Sequence, residues 1–326
     1  MSVVAPKGFV ANGVASGIKA SGARDLAVVV TEDRRAVPTA AVFTTNRAAA
    51  APVQVSRRHL RESAGMMTGV LLSSGNANAA TGASGEATTI RACELLAEAL
   101  EVSSERLLVC ATGLIGIPLP IAPFVDGVPR AVGGLGSDET HGHAAAEALM
   151  TTDTFAKVEV RHGTGYTIGA IGKGAAMIAP NMATMLAVIT TDVVIEPGEL
   201  QRVLGHAVDR SFNRLTIDGC TSTNDAVIAM ASGASGVHAD DGFALLIEEV
   251  CQSLADKIAQ DAEGGSKVVK VTVSNAASEA DALAGARKIA ESQLVKCSFL
   301  GEDPYWGRVA SELGSSDIAF DLALLE

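Results

Sequence analysis

The chain has 326 residues, with 37 acidic and 25 basic side chains, and therefore carries a formal net charge of −12. This acidity argues against nucleic acids and anionic membranes as partners, because phosphate-rich surfaces need clustered Lys and Arg. Apolar residues make up 48% of the chain and charged residues 19%, which indicates a folded protein with a sizeable core and excludes a disordered chain.

The first half of the chain alternates short apolar runs with helical patterns, which predicts a fold of the α/β or α+β class. Buried strands are predicted at 26–30 and 40–45, where β-branched and small apolar side chains follow one another. A helix should follow the turn at 82–85, because apolar side chains then recur at helical spacing up to residue 100. The remaining elements predicted here are a strand at 106–110, which runs into Ala111-Thr112-Gly113, and a helix at 139–150.

The second half of the chain continues this alternation. Its strongest helical pattern runs from Phe243 to Ile258, where the apolar side chains share one face and the charged side chains lie elsewhere. The other predicted elements are a hairpin of 157–161 and 166–171, a strand at 185–195 that ends before Pro197-Gly198, the start of a helix at 201–208, a strand at 267–273 and a helix at 279–292. We predict a domain boundary at Gly264-Gly265.

The number of cysteines and the length of the apolar stretches indicate the cellular compartment. The five cysteines are an odd number and include no CxxC pair, which argues against a disulfide framework and a structural zinc site. The N-terminus has no apolar stretch of the kind found in signal peptides, and the most apolar window, 175–195, contains Pro180, Asn181 and Asp192. We therefore expect a soluble protein of the reducing cytoplasm.

Several common catalytic and binding motifs are missing from the chain. No GxSxG elbow is present, and the glycines at 163–165 and 169–174 do not match a dinucleotide fingerprint or a phosphate loop. The pair His141 and His143 could bind a metal, but no carboxylate or thiol motif completes a ligand set. We therefore favour two solvated histidines near the start of a helix.

One segment, 172–192 with the sequence GKGAAMIAPNMATMLAVITTD, suggests chemistry. It places Ala183-Thr184 after a Pro-Asn turn, at the entrance to an apolar strand. The simpler interpretation is a buried strand in which the threonine hydroxyl caps a local group. The alternative is a threonine that attacks its own preceding peptide bond, since the α-amine freed by cleavage, with a pKa of roughly 7.7–8.0, suits a base that activates the hydroxyl. Lys173 would lower that pKa if it lies close in space.

This segment resembles the self-cleaving signature of the ornithine acetyltransferase (ArgJ) family. Supporting motifs occur along almost the whole chain in the family's order, and their agreement makes the resemblance specific. They are GF at 8–9, VFTTNR at 42–47, SGNAN at 74–78, TG at 81–82, ATGLIG at 111–116, MTTDT at 150–154, SFN at 211–213, DGCTSTND at 218–225, AEG at 262–264 and DPYWGR at 303–308.

The resemblance implies a layered α+β sandwich with the N-terminal-nucleophile-like, self-processing fold of the ArgJ/DmpA type. Cleavage between Ala183 and Thr184 would give an α chain, 1–183, and a β chain, 184–326. Of the β chain, 184–265 would complete the catalytic domain and 266–326 would form part of a C-terminal domain. Thr184 would accept an acetyl group from N-acetylornithine and pass it to glutamate, which yields ornithine and N-acetylglutamate for arginine biosynthesis.

The resemblance also assigns roles to individual residues. Thr112 and Gly113 match the family's oxyanion hole, for which the simpler interpretation is a strand that ends in a turn. Thr151, Lys173 and Glu263 match positions that contact substrate, together with Thr184. Lys173 suits a substrate carboxylate and Glu263 suits the ammonium of an amino acid. Without the family, a helix-end hydroxyl, a solvated lysine and a surface carboxylate would be the better interpretations of these three.

The resemblance implies no metal, nucleotide or flavin cofactor, with acetyl-CoA possible as a co-substrate. The α and β fragments would stay associated and pair further into a heterotetramer. Two positions depart from the family. Cys220 stands where relatives carry an acidic or polar residue, and the chain ends at Glu326, where relatives continue and supply further substrate contacts. A strand predicted at 317–325 would then expose an apolar edge.

Two alternatives to the acetyltransferase hypothesis stay open at this point. One is an amidase or aminopeptidase with an N-terminal nucleophile, which would release the acyl group to water instead of glutamate. The other is an inactive, shortened relative without catalysis. Turnover of N-acetylornithine measured with and without glutamate distinguishes the amidase from the acetyltransferase. The inactive relative predicts that removing the Thr184 hydroxyl leaves every measurable activity unchanged.

Overall fold

Two β-sheets organise the computed structural model, which describes residues 2–178, 185–318, 321, 323 and 325. The first sheet has the strand order β1-β2-β5-β6, formed by β1 (Phe9–Val14), β2 (Leu26–Thr31), β5 (Gly69–Asn76) and β6 (Leu107–Leu114). The second sheet has the order β4-β3-β10-β9-β8-β7, formed by β4 (Met66–Met67), β3 (Val37–Phe43), β10 (Ala226–Ala231), β9 (Leu186–Thr191), β8 (Thr167–Lys173) and β7 (Lys157–His162).

Helices connect and cover these strands. Two strand pairs are parallel, β5 with β6 and β9 with β10, and each needs a crossover connection. The helices are α1 (Ala51–Glu62), α2 (Gly82–Leu100), α3 (Ala122–Gly133), α4 (Glu139–Leu149), α5 (Pro197–Arg210), α6 (Phe243–Gln260), α7 (Glu279–Glu291), α8 (Gln293–Leu300) and α9 (Trp306–Gly314). None of these described helices is long and apolar enough to span a bilayer.

Among the described residues, alternating side chains on the strands divide the apolar residues around the two sheets into three large clusters. In β2, Val28 packs toward α2 and α3, whereas Val29 packs between the two sheets with α4. In β9, Val188 faces the same inter-sheet core, whereas Ile189 packs against α5 and α6. Because both faces of each sheet are covered, the result is a four-layer sandwich of helices, sheet, sheet and helices. The predicted layered α/β fold is confirmed.

The structure corrects several predicted boundaries. The strand predicted at 40–45 is β3, displaced toward the N-terminus, and the strand predicted at 185–195 is the shorter β9. No strand forms at 267–273, where most side chains are exposed and no described strand lies alongside. A segment with high β-propensity forms a strand only when a neighbouring strand hydrogen-bonds its backbone amides and carbonyls. Propensity alone is therefore not sufficient here.

The C-terminal helices form a small apolar cluster of their own. Ile289, Val295 and Leu313 are its buried members, contributed by α7, α8 and α9. The strand predicted at 317–325 lies partly outside the described residues, and none of its described residues belongs to a strand. The predicted division of the chain at 183 and at 265 stays a prediction.

Candidate active site

The predicted oxyanion pair, Thr112 and Gly113, lies near the end of β6. The sequence suggested a strand ending at residue 110, but pairing with β5 carries the strand through both residues, with Gly75 opposite Gly113. Gly113 has a φ of +131°, and a Cβ atom there would lie 2.3 Å from the backbone carbon of Gly75. Only glycine therefore fits at this position.

We expect Gly113→Ala to destabilise the protein by about 2–4 kcal/mol, because left-handed strain adds to a backbone overlap. Gly116→Ala is the matched control. Gly116 also has a positive φ, but a Cβ there meets nothing within 4 Å, so strain alone should cost about 1 kcal/mol. Urea unfolding of both variants measures the difference. Equal losses for the two variants would contradict the close approach of β5 and β6.

Lys173, at the end of β8, reaches the oxyanion pair through the interior. Its side chain is 2% exposed. Its Nζ donates a long hydrogen bond of 3.5 Å to Thr112 Oγ1 and lies 3.8 Å from Asp153 Oδ2. Burial and the charges of Lys157 and Lys19 lower the pKa of the Lys173 ammonium below its usual range, although Asp153 and Asp225 oppose them. The structure thus joins two predicted site residues that are 61 positions apart.

Asp153 is the centre of a buried charge network beside Lys173. Its Oδ1 accepts hydrogen bonds from Lys157 Nζ at 2.7 Å and from the Gly174 amide at 2.8 Å. Lys157 Nζ also donates to Asp261 Oδ2 at 2.5 Å. Both the Lys157 and the Asp153 side chains are fully buried. The network therefore holds both ammonium groups in the interior, away from the protein surface.

Thr151 is attached to the same network. Its amide donates to Asp153 Oδ2 at 2.9 Å, and its side chain is half-buried. Burial alone raises the pKa of Asp153, but the charges of Lys173 and Lys157 and these hydrogen bonds outweigh it and leave the pKa below its ordinary value. Asp153 is therefore ionised near neutral pH, as the counterion of both lysines.

Glu263 is held by its backbone beside the strand that carries Lys173. Its amide donates to the Ala175 carbonyl at 2.7 Å, two residues after Lys173, and its side chain is exposed. The predicted carboxylate thus lies near the surface, whereas the predicted cation lies in the interior. The exposed Glu263 carboxylate and the buried Lys173 ammonium therefore lie in different environments.

Ala183 and Thr184, the predicted cleavage pair, lie outside the described residues, but the chain on either side of 179–184 is described. Asp218 holds the preceding side, because its carboxylate accepts from the amides of Met177 at 2.5 Å and Ile178 at 3.0 Å. Asp225 holds the following side, because its Oδ1 accepts from the Met185 amide at 2.9 Å.

Asp225 differs from the other carboxylates in its surroundings. Its side chain is completely buried, and among the described residues its Oδ2 has no hydrogen-bond partner. Burial raises the pKa of Asp225 well above its usual range, against the lowering effects of the Met185 amide, the nearby Ser222 hydroxyl and the Lys173 ammonium. The carboxyl group is therefore favoured in its neutral form.

The raised pKa predicts a pH-dependent difference between the wild type and Asp225→Asn. The unfolded carboxyl ionises above about pH 3.9, whereas the folded one keeps its proton to a higher pH. Wild-type stability therefore falls as pH rises from the unfolded toward the folded pKa, and asparagine removes this loss. We compare the melting temperature of Asp225→Asn minus that of the wild type at two pH values. We expect this difference to be at least about 2 °C more positive at pH 8 than at pH 4.

Thermal unfolding at both pH values measures this difference directly. Asp192→Asn serves as a control, because Asp192 is also buried but both its oxygens accept amide hydrogen bonds, from Lys7 and Thr167. A relative melting temperature of Asp225→Asn that falls from pH 4 to pH 8 would show that the folded Asp225 is ionised instead.

Lys19 is a further cation near the site that the sequence did not single out. A Cβ atom on Gly75 would lie 3.0 Å from Lys19 Cγ, so the stem of this lysine lies against the end of β5. The buried Asp25 shapes the loop that carries it, accepting from the amides of Ser16 at 2.6 Å and Lys19 at 2.9 Å. Burial lowers the pKa of Lys19, although Asp25 and Asp153 oppose the effect.

Sequence reasoning also missed four aspartates. Three of them lie in motifs that supported the resemblance, Asp153 in MTTDT and Asp218 with Asp225 at the ends of DGCTSTND. Aspartate among Gly, Ser and Thr typically accepts backbone amides, which was the available signal. Asp261 had no such signal. Cys220 is exposed, so its departure from the family pattern removes no buried charge.

The described residues contain no group of three or more His, Cys, Asp or Glu side chains placed to hold a metal. His141 instead hydrogen-bonds Asp138, the residue that caps α4, with 2.7 Å between Nδ1 and Oδ1. This contact assigns the histidine to the start of a helix, which agrees with the interpretation that we favoured from the sequence.

Comparisons with known proteins agree with the motif pattern. The family model described as the ArgJ family matches residues 10–326. The arginine biosynthesis bifunctional protein ArgJ of Thermobifida fusca is 48% identical over 322 residues, which are 98% of this chain and 83% of that protein. The protein of the same name from Streptomyces coelicolor is 47% identical over 323 residues, with coverage of 98% and 83%.

A solved structure shares both sequence and fold with part of the chain. It is the crystal structure of ornithine acetyltransferase from Mycobacterium tuberculosis, complexed with ornithine. One of its chains is 39% identical, with a TM-score of 0.50, and the match covers 55% of this chain and 94% of that one.

Proposed function

Because the chain belongs to the ArgJ family, we propose that it is a self-cleaving acetyltransferase that moves an acetyl group from N-acetylornithine to glutamate. The main structural support for this proposal is the hydrogen bond between Lys173 and Thr112, the residue next to Gly113. Because Thr112 Oγ1 accepts from the lysine, its own O–H proton is free to point elsewhere. The Thr112 hydroxyl and the Gly113 amide then form a pair of donors for a developing oxyanion.

The first proposed step is cleavage of the chain by Thr184. Its hydroxyl adds to the Ala183 carbonyl, the peptide C–N bond breaks, and the proton of the hydroxyl passes to the leaving nitrogen. The resulting ester between Ala183 and Thr184 is hydrolysed by water. Thr184 then carries both a free α-amine and a free hydroxyl, the arrangement in which the amine serves as base for the nucleophile.

The second proposed step is acetyl transfer. The Thr184 hydroxyl adds to the acetyl carbonyl of N-acetylornithine, and the α-amine takes its proton and gives it to the departing ornithine nitrogen. The acetyl ester on Thr184 is then attacked by the amine of glutamate, which releases N-acetylglutamate and restores the hydroxyl. Thr112 and Gly113 stabilise the tetrahedral oxyanion in both halves, and losing one such donor typically costs about 10²–10³ in rate.

The charge distribution supports substrates that are amino acids. Lys173 and Lys19 supply positive potential for a substrate carboxylate, and the exposed Glu263 suits a substrate ammonium. Thr151, attached to Asp153, adds a hydroxyl near the same network. No metal, nucleotide or flavin is needed for this sequence of steps. Acetyl-CoA can enter as an alternative acetyl donor, since its thioester would acylate the same hydroxyl.

The proposal includes the assembly of the cleaved protein. The two fragments would remain one fold, because β8 before the cleavage position pairs with β9 after it, and they would associate further into a heterotetramer. The match to the ornithine acetyltransferase chain covers 94% of that chain with 55% of the 326 residues here, or about 180. This length is close to the 183 residues that precede Thr184. We also propose that the protein is located in the cytoplasm.

Two measurements on the purified protein test the proposed function. Mass spectrometry of the denatured protein should show fragments of residues 1–183 and 184–326 in place of one chain. Turnover of N-acetylornithine should depend on glutamate and yield one N-acetylglutamate per ornithine. Release of acetate at the same rate without glutamate would favour an amidase, and an uncut chain that neither turns over nor transfers acetyl would exclude the proposal.

A further inference from the structure

Residues 218–225, here called the anchor loop, contact the chain on both sides of the proposed cleavage position. On the preceding side, the Asp218 carboxylate accepts from the amides of Met177 and Ile178. The Ile217 amide adds a hydrogen bond of 2.6 Å to the Ile178 carbonyl. On the following side, Asp225 Oδ1 accepts from the Met185 amide at 2.9 Å. The peptide that carries this last amide is the one formed by the carbonyl of Thr184.

The anchor loop is also tied to the end of the first sheet. Asn224, which is almost fully buried, donates from Nδ2 to the Ala77 carbonyl at 2.6 Å and to the Ala111 carbonyl at 2.9 Å. Ala111 directly precedes Thr112. One short loop therefore connects the flanks of 179–184 to the strand that carries the proposed oxyanion donors.

The opposite side of the anchor loop is fixed by residues 44–50. The Thr44 hydroxyl donates to the Ser222 carbonyl at 2.7 Å, and the Thr44 amide donates to the Asp225 carbonyl at 3.0 Å. The Ala50 amide donates to the Thr223 carbonyl at 2.9 Å. A loop held on both sides by backbone and side-chain hydrogen bonds has little freedom to move, so the positions of its two carboxyl groups are well determined.

We propose that Asp218 and Asp225 are positioning residues that set the register of Thr184 against Thr112 and Gly113, and that they do so in different forms. Asp218 acts as a carboxylate, since both its oxygens accept amide hydrogen bonds, with Cys220 as a third donor. Asp225 acts as a neutral acid, since one oxygen accepts from Met185 and the other is buried without a partner among the described residues. This inference rests on the proposed function.

The two forms predict opposite effects of an asparagine at the two positions. In Asp225→Asn the amide oxygen can still accept from Met185, and the amide nitrogen takes the place of the second oxygen. In Asp218→Asn one acceptor becomes an NH₂ group that faces an amide N–H, so one anchoring bond is lost. Asp225→Ala removes the acceptor altogether and leaves the Met185 amide without its partner.

The experiment measures self-cleavage and turnover of the full chain with these three variants. We expect Asp225→Asn to stay within about threefold of the wild type in both rates. Asp218→Asn and Asp225→Ala should cleave at least tenfold more slowly. Once cleaved, they should lose kcat with little change in KM, because Lys173 and Glu263 are untouched. Equal rates for Asp225→Ala and the wild type, or equal defects in Asp225→Asn and Asp225→Ala, would overturn the inference.

A control separates positioning from general stability. Asp192 is buried and accepts amides, but it follows the far end of β9 from Met185, about 20 Å away for a six-residue strand. Asp192→Asn should lower the melting temperature without changing kcat of the folded enzyme. Rates that follow melting temperature across all four variants would contradict a positioning role.

Amide hydrogen exchange tests the contact between Asp225 and the Met185 amide independently of the enzyme's activity. The Met185 amide should be protected in the wild type and in Asp225→Asn, and exposed in Asp225→Ala. Unchanged protection in Asp225→Ala would overturn the anchor. The proposed function has a separate outcome, since it fails if the wild type is neither cleaved nor active, regardless of this pattern of protection.

Discussion

Replacement of Thr184 by alanine is expected to leave the chain uncut and to lower acetyl transfer by at least about 10³-fold. The hydroxyl is the proposed nucleophile in both steps, so its removal blocks cleavage and the acyl-enzyme together. Loss of a catalytic nucleophile typically costs several orders of magnitude, with only residual rate from binding and oxyanion stabilisation. Mass spectrometry of the denatured variant should show one species of 326 residues, and a glutamate-dependent assay measures the transfer.

Thr184→Ser is the matched control for this change. Serine keeps a hydroxyl on the same atom and, after cleavage, the same neighbouring α-amine, so both cleavage and transfer should persist. An uncut Thr184→Ala protein with wild-type transfer activity would remove the covalent mechanism. It would favour an enzyme in which this threonine has no covalent role.

Replacement of Asp153 by alanine is expected to destabilise the protein by about 3–5 kcal/mol. Asp153 lies 2.7 Å from Lys157 Nζ and 3.8 Å from Lys173 Nζ, and all three side chains are at most 2% exposed. Removing one partner of a buried ion pair leaves uncompensated charge in the interior, which costs far more than the pair itself contributes. Chemical denaturation with a shift of the midpoint at unchanged slope measures the loss.

An exposed ion pair provides the comparison for Asp153. Arg24 and Glu147 are 3.0 Å apart, but their side chains are 46% and 42% exposed. Solvent screens such a pair, so Glu147→Ala should change stability by no more than about 1 kcal/mol. A similar small loss in Asp153→Ala would mean that water reaches the Lys157 and Lys173 ammonium groups in solution.

Elements with a long, regular hydrophobic pattern were predictable from the sequence. The periodic apolar face of α6 was identified correctly, since a long amphipathic pattern has few alternative structures. The strands β1, β5 and β10 were not predicted. Each is a short apolar run that periodicity alone does not distinguish from a buried helix. The shape of β6 was decided by its partner, because pairing with β5 extended the strand through Thr112 and Gly113.

The residue types and their order along the chain indicate the class of reaction. An Ala-Thr pair at the entrance to an apolar strand, a preceding lysine and the dispersed motifs were enough to indicate the family and the proposed nucleophile. These features are local, and a residue's chemical type does not depend on the fold. The acidic net charge and the small apolar side chains available for the core are likewise evident from the composition.

The environment of the charged groups is visible only in the folded chain. Lys173 was assigned from the sequence as a substrate contact or a solvated lysine, and the structure places it in the interior between Thr112 and Asp153. Asp225 is distinctive only in the folded chain, where its side chain is completely buried and its Oδ2 has no hydrogen-bond partner among the described residues. Burial and distance depend on strands and loops far apart in the chain, and these two quantities set a group's pKa and its partners.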